Sequence, residues 1–139
     1  AMRGRPFWLA KPNAAELPVL AGRELHGLDD RLAACRELTR DIRHVLFSRG
    51  ADGAYLFTAD RAWRARLDVS TDAVRNTVGC GDAMVAGFVA GMWRDQGPEL
   101  SFRDAVAAGT SSATTFGPAE LDPDTFLRLQ DRVELEPLP

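Results

Sequence analysis

Short apolar runs alternate with stretches of helical periodicity along this chain. Continuous apolar runs predict buried strands at 7–10 and 45–47, and a third strand is predicted at 54–58. Residues 62–67 alternate between apolar and polar side chains, which predicts a half-exposed strand. A last short run at 133–136 predicts an edge strand.

Helical patterns fill much of the remaining sequence. Residues 28–42 carry apolar side chains at helical spacing. Helices rich in small residues are predicted at 83–93 and 101–115, the second with Ser101 as N-cap, and a final helix with Pro123 in its first turn. Strands with helices packed on them predict an α/β layered fold, α/β/α, with a largely parallel sheet. The apolar positions expected on one face of the 28–42 helix are Leu28, Leu32, Cys35, Leu38 and Ile42.

Composition excludes several classes of function. The 139 residues are 45% hydrophobic and 27% charged, with a formal charge of −3, so no basic surface for nucleic acid is expected. No apolar run is long enough to cross a membrane, and no secretory signal is recognised, so a cytoplasmic location is expected. Cys35 and Cys80 lack metal-ligand spacing, and His26 and His44 have no metal-ligating partner at helical spacing, so the histidines are expected to be structural.

A glycine turn followed by a helix is the strongest chemical signal. Gly79 and Gly81 bracket Cys80, Asp82 follows, and an apolar helix pattern begins at once. Such a turn can present backbone N–H groups and the helix N-terminus to an anion, most often phosphate. A carboxylate beside a phosphate site suits a general base that accepts a proton from an attacking hydroxyl. The alternative is an ordinary turn in which Asp82 is the helix N-cap.

The longer string around this turn resembles the second signature of the PfkB (ribokinase-like) family of carbohydrate kinases. The matching positions are Thr77, Gly79, Gly81, Asp82, Ala86, Gly87 and Phe88. Cys80 departs from the family's usual alanine, and a small cysteine is expected to preserve the turn. The resemblance implies transfer of the γ-phosphate of ATP to a sugar hydroxyl. Within the family it is closest to the kinases of phosphorylated hexoses, with ribokinase-type kinases second.

The resemblance also implies roles for individual residues. Asp82 is the expected catalytic base, and the N–H groups of Gly79, Cys80, Gly81 and Asp82 are expected to hold the transferring phosphoryl group. Two further elements are expected to serve the nucleotide and Mg²⁺. The expected nucleotide contacts are Ser48, Gly50 and Gly53 in the loop after the second strand, with Gly109 and Ser112 near the adenine, and the expected metal-site residues are Asn13 and Glu16.

Asn13 and Glu16 also have a purely structural interpretation. Asn13 is a good N-cap, and a glutamate three residues later completes a capping box, so the pair is sufficiently explained by helix initiation. The two interpretations are compatible. A lowered thiol pKa is expected for Cys80 at the helix N-terminus. Arg49 is expected to point into water.

The family resemblance implies that 1–139 is the C-terminal, nucleotide-binding part of a longer kinase. The expected cofactors are ATP and Mg²⁺, and the expected partners are ATP and a small sugar or sugar phosphate, with homodimer formation left open. Two other interpretations remain. The chain is either a nucleotide-binding module without activity of its own, or a Rossmann-type dehydrogenase half, which the absence of Gly-x-Gly-x-x-Gly after the first strand disfavours.

Overall fold

The computed structural model describes residues 7–139. They form two compact units, one containing the residues up to Arg64 together with Pro137–Pro139, and the other Ala65–Glu136. Strands and helices follow the chain as β1 (Phe7–Ala10), α1 (Leu17–Ala21), α2 (Gly27–Leu38), β2 (Ile42–Ser48), β3 (Ala54–Phe57), β4 (Ala62–Arg66), α3 (Cys80–Trp93), α4 (Gly97–Ala113), α5 (Pro123–Gln130) and β5 (Glu134–Leu138). No helix within 7–139 is long and apolar enough to span a bilayer.

The five strands form one sheet in the order β1-β2-β3-β4-β5. β1 and β2 are parallel, with Phe7 opposite Ile42, whereas β2 and β3 are antiparallel, with Phe47 opposite Tyr55. The α/β class is therefore confirmed, but the expectation of a largely parallel sheet holds for β1–β2 and not for β2–β3. The loop between β2 and β3 is too short for the crossover that a parallel pair requires, so the chain reverses as a hairpin.

The first unit has its own hydrophobic core. β3 is wholly buried, and β2 is buried except at Arg43 and Ser48. α2 contributes Ala34 and Cys35 from its buried face, while its acidic first turn and Arg36 face outward. The buried side chains of this core include Leu17, Val45, Phe47, Tyr55 and Phe57.

Glycines set the packing of α3 on α4 in the second unit. A β-carbon at Gly87 would lie 2.7 Å from the carbonyl oxygen of Asp104, and one at Gly91 would lie 2.8 Å from the Cα of Ser101. Each glycine lowers helix propensity by about 1 kcal/mol relative to alanine. The close approach of the two helices is the packing reason for retaining them. α5 begins as expected, with Asp122 accepting a hydrogen bond from the Thr125 N–H and with Pro123 in the first turn.

Several predicted boundaries were wrong. The 28–42 helix ends at Leu38, and Ile42 is instead the first residue of β2, because its apolar side chain fits a buried strand as well as a helix face. Ser101 is not an N-cap: α4 begins at Gly97, and the Ser101 hydroxyl donates to the Gly97 carbonyl at 2.6 Å inside the helix. α3 begins at Cys80 rather than at residue 83. β5 is an edge strand as expected, but it begins at Glu134.

Candidate active site

The glycine turn opens α3 with a left-handed residue. Gly79 is the N-cap, with φ 82° and ψ 0°, a conformation that L-residues with a β-carbon rarely adopt. Asp82 is therefore not the N-cap but the third residue of the helix, on an exposed part of its first turn. The alternative that Asp82 merely caps the helix is wrong. A carboxylate near a helix N-terminus interacts favourably with the helix dipole.

Backbone N–H groups of the turn are available for an anion. Among the described residues, those of Gly79, Gly81 and Asp82 make no hydrogen bond within the protein, as expected for the first turn of a helix. The Cys80 N–H differs, because it donates to the Thr77 carbonyl at 3.3 Å. The turn can thus offer three N–H groups without rearrangement, one fewer than the sequence led us to expect.

The segment before the turn is tied to the segment that follows α4. The N–H groups of Arg75 and Asn76 both donate to the Ala113 carbonyl, at 2.7 and 3.2 Å. The Asn76 amide donates to the Phe116 carbonyl at 3.0 Å, and its Oδ1 accepts from the Val78 N–H at 2.9 Å. The Ala119 N–H donates to the Val78 carbonyl at 3.2 Å. These bonds fix the entry of the chain into the turn.

Ala119 explains the glycine at position 79. A β-carbon there would lie 2.5 Å from the Ala119 nitrogen and 2.8 Å from the Ala119 Cβ. Ala119 itself has φ 53°, in the left-handed region. Sequence reasoning missed the roles of Asn76 and Ala119. Asn76 stands directly before the signature and could have been found as an Asx turn, but nothing in the local sequence marks Ala119.

The expectation for the Cys80 thiol was wrong in direction. Burial raises the pKa of the Cys80 thiol, and contact with the Ser112 hydroxyl only partly offsets this effect. The sulfur also donates to the Asn76 carbonyl at 3.6 Å. The side chain is turned into the protein, so loss of hydration outweighs the helix dipole. A raised thiol pKa does not support an activated cysteine at position 80.

Gly109 and Ser112 lie under the turn and are both buried. A β-carbon at Gly109 would lie 2.4 Å from Met84 Cγ and 3.2 Å from the Cys80 carbonyl oxygen. Gly109 therefore lets α3 start close to α4. This packing role is independent of the adenine contact expected from the family resemblance, which remains a prediction for both residues.

In the first unit, Asn13 and Glu16 form the reciprocal capping box. Asn13 Oδ1 accepts from the Ala15 and Glu16 N–H groups, both at 2.9 Å, and Glu16 Oε2 accepts from the Asn13 N–H at 3.0 Å. The regular helix α1 begins at Leu17, directly after Glu16, which occupies the N-cap position. The hydrogen bonds of the predicted capping box are confirmed, but the N-cap of α1 is Glu16 and not Asn13. Both residues are exposed.

The two residues also suit Mg²⁺ by the chemistry of their donors. Mg²⁺ prefers oxygen ligands and usually keeps several waters when held by one or two protein groups and substrate phosphates. Glu16 Oε1 makes no hydrogen bond within the described residues, so this carboxylate oxygen is free to bind a hydrated ion. Residues 7–139 contain no cluster of three or more histidine, cysteine, aspartate or glutamate side chains that could enclose a metal. Water and phosphate would have to complete the coordination.

The loop after β2 lies beside the Asn13 segment. Asn13 and Ser48 form a parallel β-bridge, the Ser48 N–H donates to the Pro12 carbonyl at 3.1 Å, and the Lys11 ammonium lies 3.5 Å from the Ser48 hydroxyl. Lys11, Asn13, Glu16 and Ser48 are therefore brought together as one polar cluster of the first unit.

Both glycines of this loop have positive φ, a region that favours glycine. Gly50 has φ 56°, and Gly53 has φ 93° with ψ −157°. The loop closes through the Arg49 N–H, which donates to the Gly53 carbonyl at 2.9 Å. Arg49 does not simply extend into water, because its guanidinium lies 3.6 Å from the Asp52 carboxylate and is about three-quarters buried. Its partner holds it across the loop.

Of the two histidines, His44 has a structural role, whereas the exposed side chain of His26 makes no capping hydrogen bond. Nδ1 of the buried His44 lies 3.0 Å from the Trp8 carbonyl oxygen, and the Trp8 and His44 rings meet edge-on. Burial lowers the pKa of the His44 imidazole. His26 occupies the N-cap position of α2.

Comparison with known proteins places these elements in a family. Residues 5–125 match the pfkB family of carbohydrate kinases. The 1-phosphofructokinase of Escherichia coli K12 is 35% identical over 131 residues, which cover 94% of this chain and 41% of that enzyme. The chain thus spans about two fifths of the length of this curated relative.

Solved structures agree on the fold. Phosphofructokinase-2 from Escherichia coli, in complex with potassium, superposes with a TM-score of 0.85 at 26% identity, covering 94% of this chain and 42% of that one. Ribokinase from Arabidopsis thaliana, solved with ribose and ATP, superposes with a TM-score of 0.76 over 88% of this chain and 40% of that one, and at 24% identity supports the fold alone. The ribokinase-like fold expected from the sequence is confirmed.

Proposed function

The chain belongs to the pfkB family of carbohydrate kinases, and we propose that it supplies the catalytic base, the anion-binding turn and the nucleotide site of an ATP-dependent kinase of a phosphorylated hexose. The observation that carries this proposal is the turn at Gly79–Asp82, where unpaired N–H groups and an exposed carboxylate share the first turn of α3. Similarity to 1-phosphofructokinase supports a sugar phosphate as the acceptor. A tagatose-6-phosphate kinase or a ribokinase-type kinase would use the same residues.

Asp82 has the geometry for proton acceptance. Its carboxylate is exposed on the first turn of α3, beside the N–H groups that would hold the transferring phosphoryl group. In this arrangement Asp82 accepts the proton of the attacking sugar hydroxyl while the Gly79, Gly81 and Asp82 N–H groups stabilise the charge that shifts among the phosphoryl oxygens. The Cys80 N–H joins them only by giving up its bond to Thr77.

The first unit would serve the nucleotide and the metal. Ser48, Gly50 and Gly53 would contact ATP, since the two glycines have no β-carbon to obstruct the approach of a phosphate to their backbone. Glu16 would hold hydrated Mg²⁺ through its unpaired Oε1, and Asn13 Oδ1 would join it only by giving up a capping hydrogen bond. Bound Mg²⁺ would neutralise charge on the phosphates of ATP.

A second candidate is favoured by the length of the chain. Because it spans only about two fifths of its 1-phosphofructokinase relative, it could be a nucleotide-binding module that lacks turnover of its own. The purified chain would then bind ATP without transferring phosphate. Sugar-dependent formation of ADP by the 139-residue chain would eliminate this candidate.

Turnover of Asp82→Asn tests the kinase assignment. In the complete kinase of which we propose this chain is the C-terminal part, loss of a general base should reduce kcat by roughly 10²–10⁴-fold while ATP binding persists. Gly81→Val should lose both turnover and ATP binding, because it places a branched side chain at the phosphate turn. Asp95→Asn, an exposed carboxylate in the turn after α3, is the control and should be unchanged. Wild-type kcat in Asp82→Asn would refute the role of Asp82.

A further inference from the structure

A pocket of the second unit contains none of the residues assigned to catalysis. Its volume is about 470 Å³, within the range of small-molecule sites. Three arginines line it, Arg75, Arg128 and Arg132, together with Thr114 and Thr125. No carboxylate lines it, although acidic residues outnumber basic ones in the chain as a whole, 20 to 17.

Each arginine is held by a neutral partner. Arg132 Nη2 donates to the Asp68 backbone carbonyl at 2.7 Å, and Arg128 Nη2 donates to Thr125 Oγ1 at 3.0 Å. The Arg75 guanidinium lies over the Phe116 ring, 5.7 Å from its centroid. Within 7–139, none of the three is within 4.0 Å of a carboxylate. The positive charge of the pocket therefore has no direct counterion in the protein.

One acid near Arg128 is already committed elsewhere. Asp122 caps α5, and its Oδ2 accepts from both the N–H and the hydroxyl of Thr125, at 2.9 and 2.5 Å. Those two hydrogen bonds lower the pKa of the Asp122 carboxyl, and the charge of Arg128 contributes least. Arg128 thus reaches Asp122 only through the Thr125 hydroxyl. Most guanidinium N–H groups of Arg128 remain for a ligand.

The geometry points to a binding pocket for a small phosphorylated molecule. We propose that its phosphate group binds between Arg75, Arg128 and Arg132. Planar guanidinium groups match phosphate oxygens with paired hydrogen bonds, and like charges gathered without a counterion repel each other unless an anion binds. Leu129, Val69 and Ala73 supply an apolar wall for the body of the molecule. This proposal does not depend on the kinase assignment.

Arg128 and Arg132 lie one helical turn apart, at the end of α5 and just beyond it. Arg75 comes from the segment anchored to the Ala113 carbonyl. The three side chains therefore come from two parts of the chain that the backbone hydrogen bonds already hold in place. A ligand would find the cationic groups largely positioned before it binds.

Titration with inorganic pyrophosphate, without Mg²⁺ and at low salt, tests the proposal. Wild-type protein should bind, and Arg128→Gln and Arg132→Gln should each raise Kd at least about tenfold, as expected for loss of a charge-assisted pair. Arg61→Gln removes an exposed arginine of the first unit and should leave Kd within about twofold. Arg61, Arg128 and Arg132 are all exposed, so each variant should keep the fold, which circular dichroism can check.

Competition identifies the source of the phosphate. AMP and fructose 6-phosphate are each titrated against bound pyrophosphate, and displacement by either one, lost in Arg128→Gln, would support a nucleotide or a sugar phosphate respectively. The proposal is overturned if wild-type protein does not bind pyrophosphate, if the arginine variants bind it as the wild type does, or if neither organic phosphate displaces it.

Discussion

Replacing Gly79 by alanine tests whether the signature turn needs glycine for its conformation alone or also for close packing. Gly79 has φ 82°, and a left-handed conformation costs an L-residue roughly 1–2 kcal/mol. Its β-carbon would also lie 2.5 Å from the Ala119 nitrogen, a contact that real β-carbons do not make. Because that neighbour is backbone, the turn or the Ala119 loop has to move, at a cost of about 1–3 kcal/mol. Gly79→Ala should therefore lower the free energy of unfolding by about 2–5 kcal/mol.

Gly97→Ala is the matched control. Gly97 has φ 80°, almost the same as Gly79, but no atom lies within 4 Å of the position of its β-carbon. Its substitution should cost only the conformational part, about 1–2 kcal/mol. The entropy that alanine removes from the unfolded chain is the same in both variants and cancels in their difference. The difference between the two variants thus isolates contact with Ala119.

Urea unfolding followed by far-UV circular dichroism measures both variants against the wild type. We expect Gly79→Ala to be less stable than Gly97→Ala by about 1–3 kcal/mol, with similar m-values. Equal destabilisation by the two substitutions, within about 0.5 kcal/mol, would refute the argument that Ala119 closes over the turn.

Four further substitutions test other parts of the structure. Asp104 is 2% exposed and accepts hydrogen bonds from Arg94, Gln96 and Gln130. Asp104→Ala should therefore lower the free energy of unfolding, measured in urea, by about 2–3 kcal/mol. A loss below about 0.5 kcal/mol would contradict these contacts. Asn13→Ala should lower the free energy of unfolding by about 0.5–2 kcal/mol, because it removes the capping oxygen. Glu16→Gln keeps an acceptor oxygen and should lower it less. Equal losses would refute a stabilising role of the capping box. Burial raises the pKa of Cys35 to about 12, above its unfolded value near 9. The folded state thus keeps a proton that the unfolded state loses, and between these pH values the free energy of unfolding should fall by up to about 1.4 kcal/mol per pH unit. Cys35→Ala should not show this fall. If the variant and the wild type lose stability equally with pH, Cys35 is not its source.

The parts of the fold that follow from local pattern could be predicted. The apolar run at Phe7–Ala10 is a strand with the expected bounds, and Asp122 with Pro123 opens α5 as capping preferences require. Gly87 and Gly91 lower the helix propensity of α3, and the packing reason for them is their close contact with α4. In each case the deciding interaction lies within a few residues or follows from a single physical requirement.

The remaining features depend on contacts between distant segments. Ile42 continues the helical period of α2, but its pairing opposite Phe7 in the sheet outweighs that period. At Cys80 the sequence shows the helix N-terminus that would lower the thiol pKa, but not the burial that raises it. Ala119 lies 40 residues from Gly79, and no sequence pattern indicates that its backbone meets the turn. Local periodicity carries no information on such pairings.

Calorimetric titration of the chain with Mg-ATP tests most directly the claim that the Gly79–Asp82 turn binds the phosphates of a nucleotide. We predict that the wild type and Asp82→Asn bind one equivalent with similar affinity, because the aspartate serves proton transfer and the turn itself is unchanged. Gly79→Ala should bind at least about tenfold more weakly, since its N–H groups are displaced. Absence of binding by the wild type, or wild-type affinity in Gly79→Ala, would contradict the account.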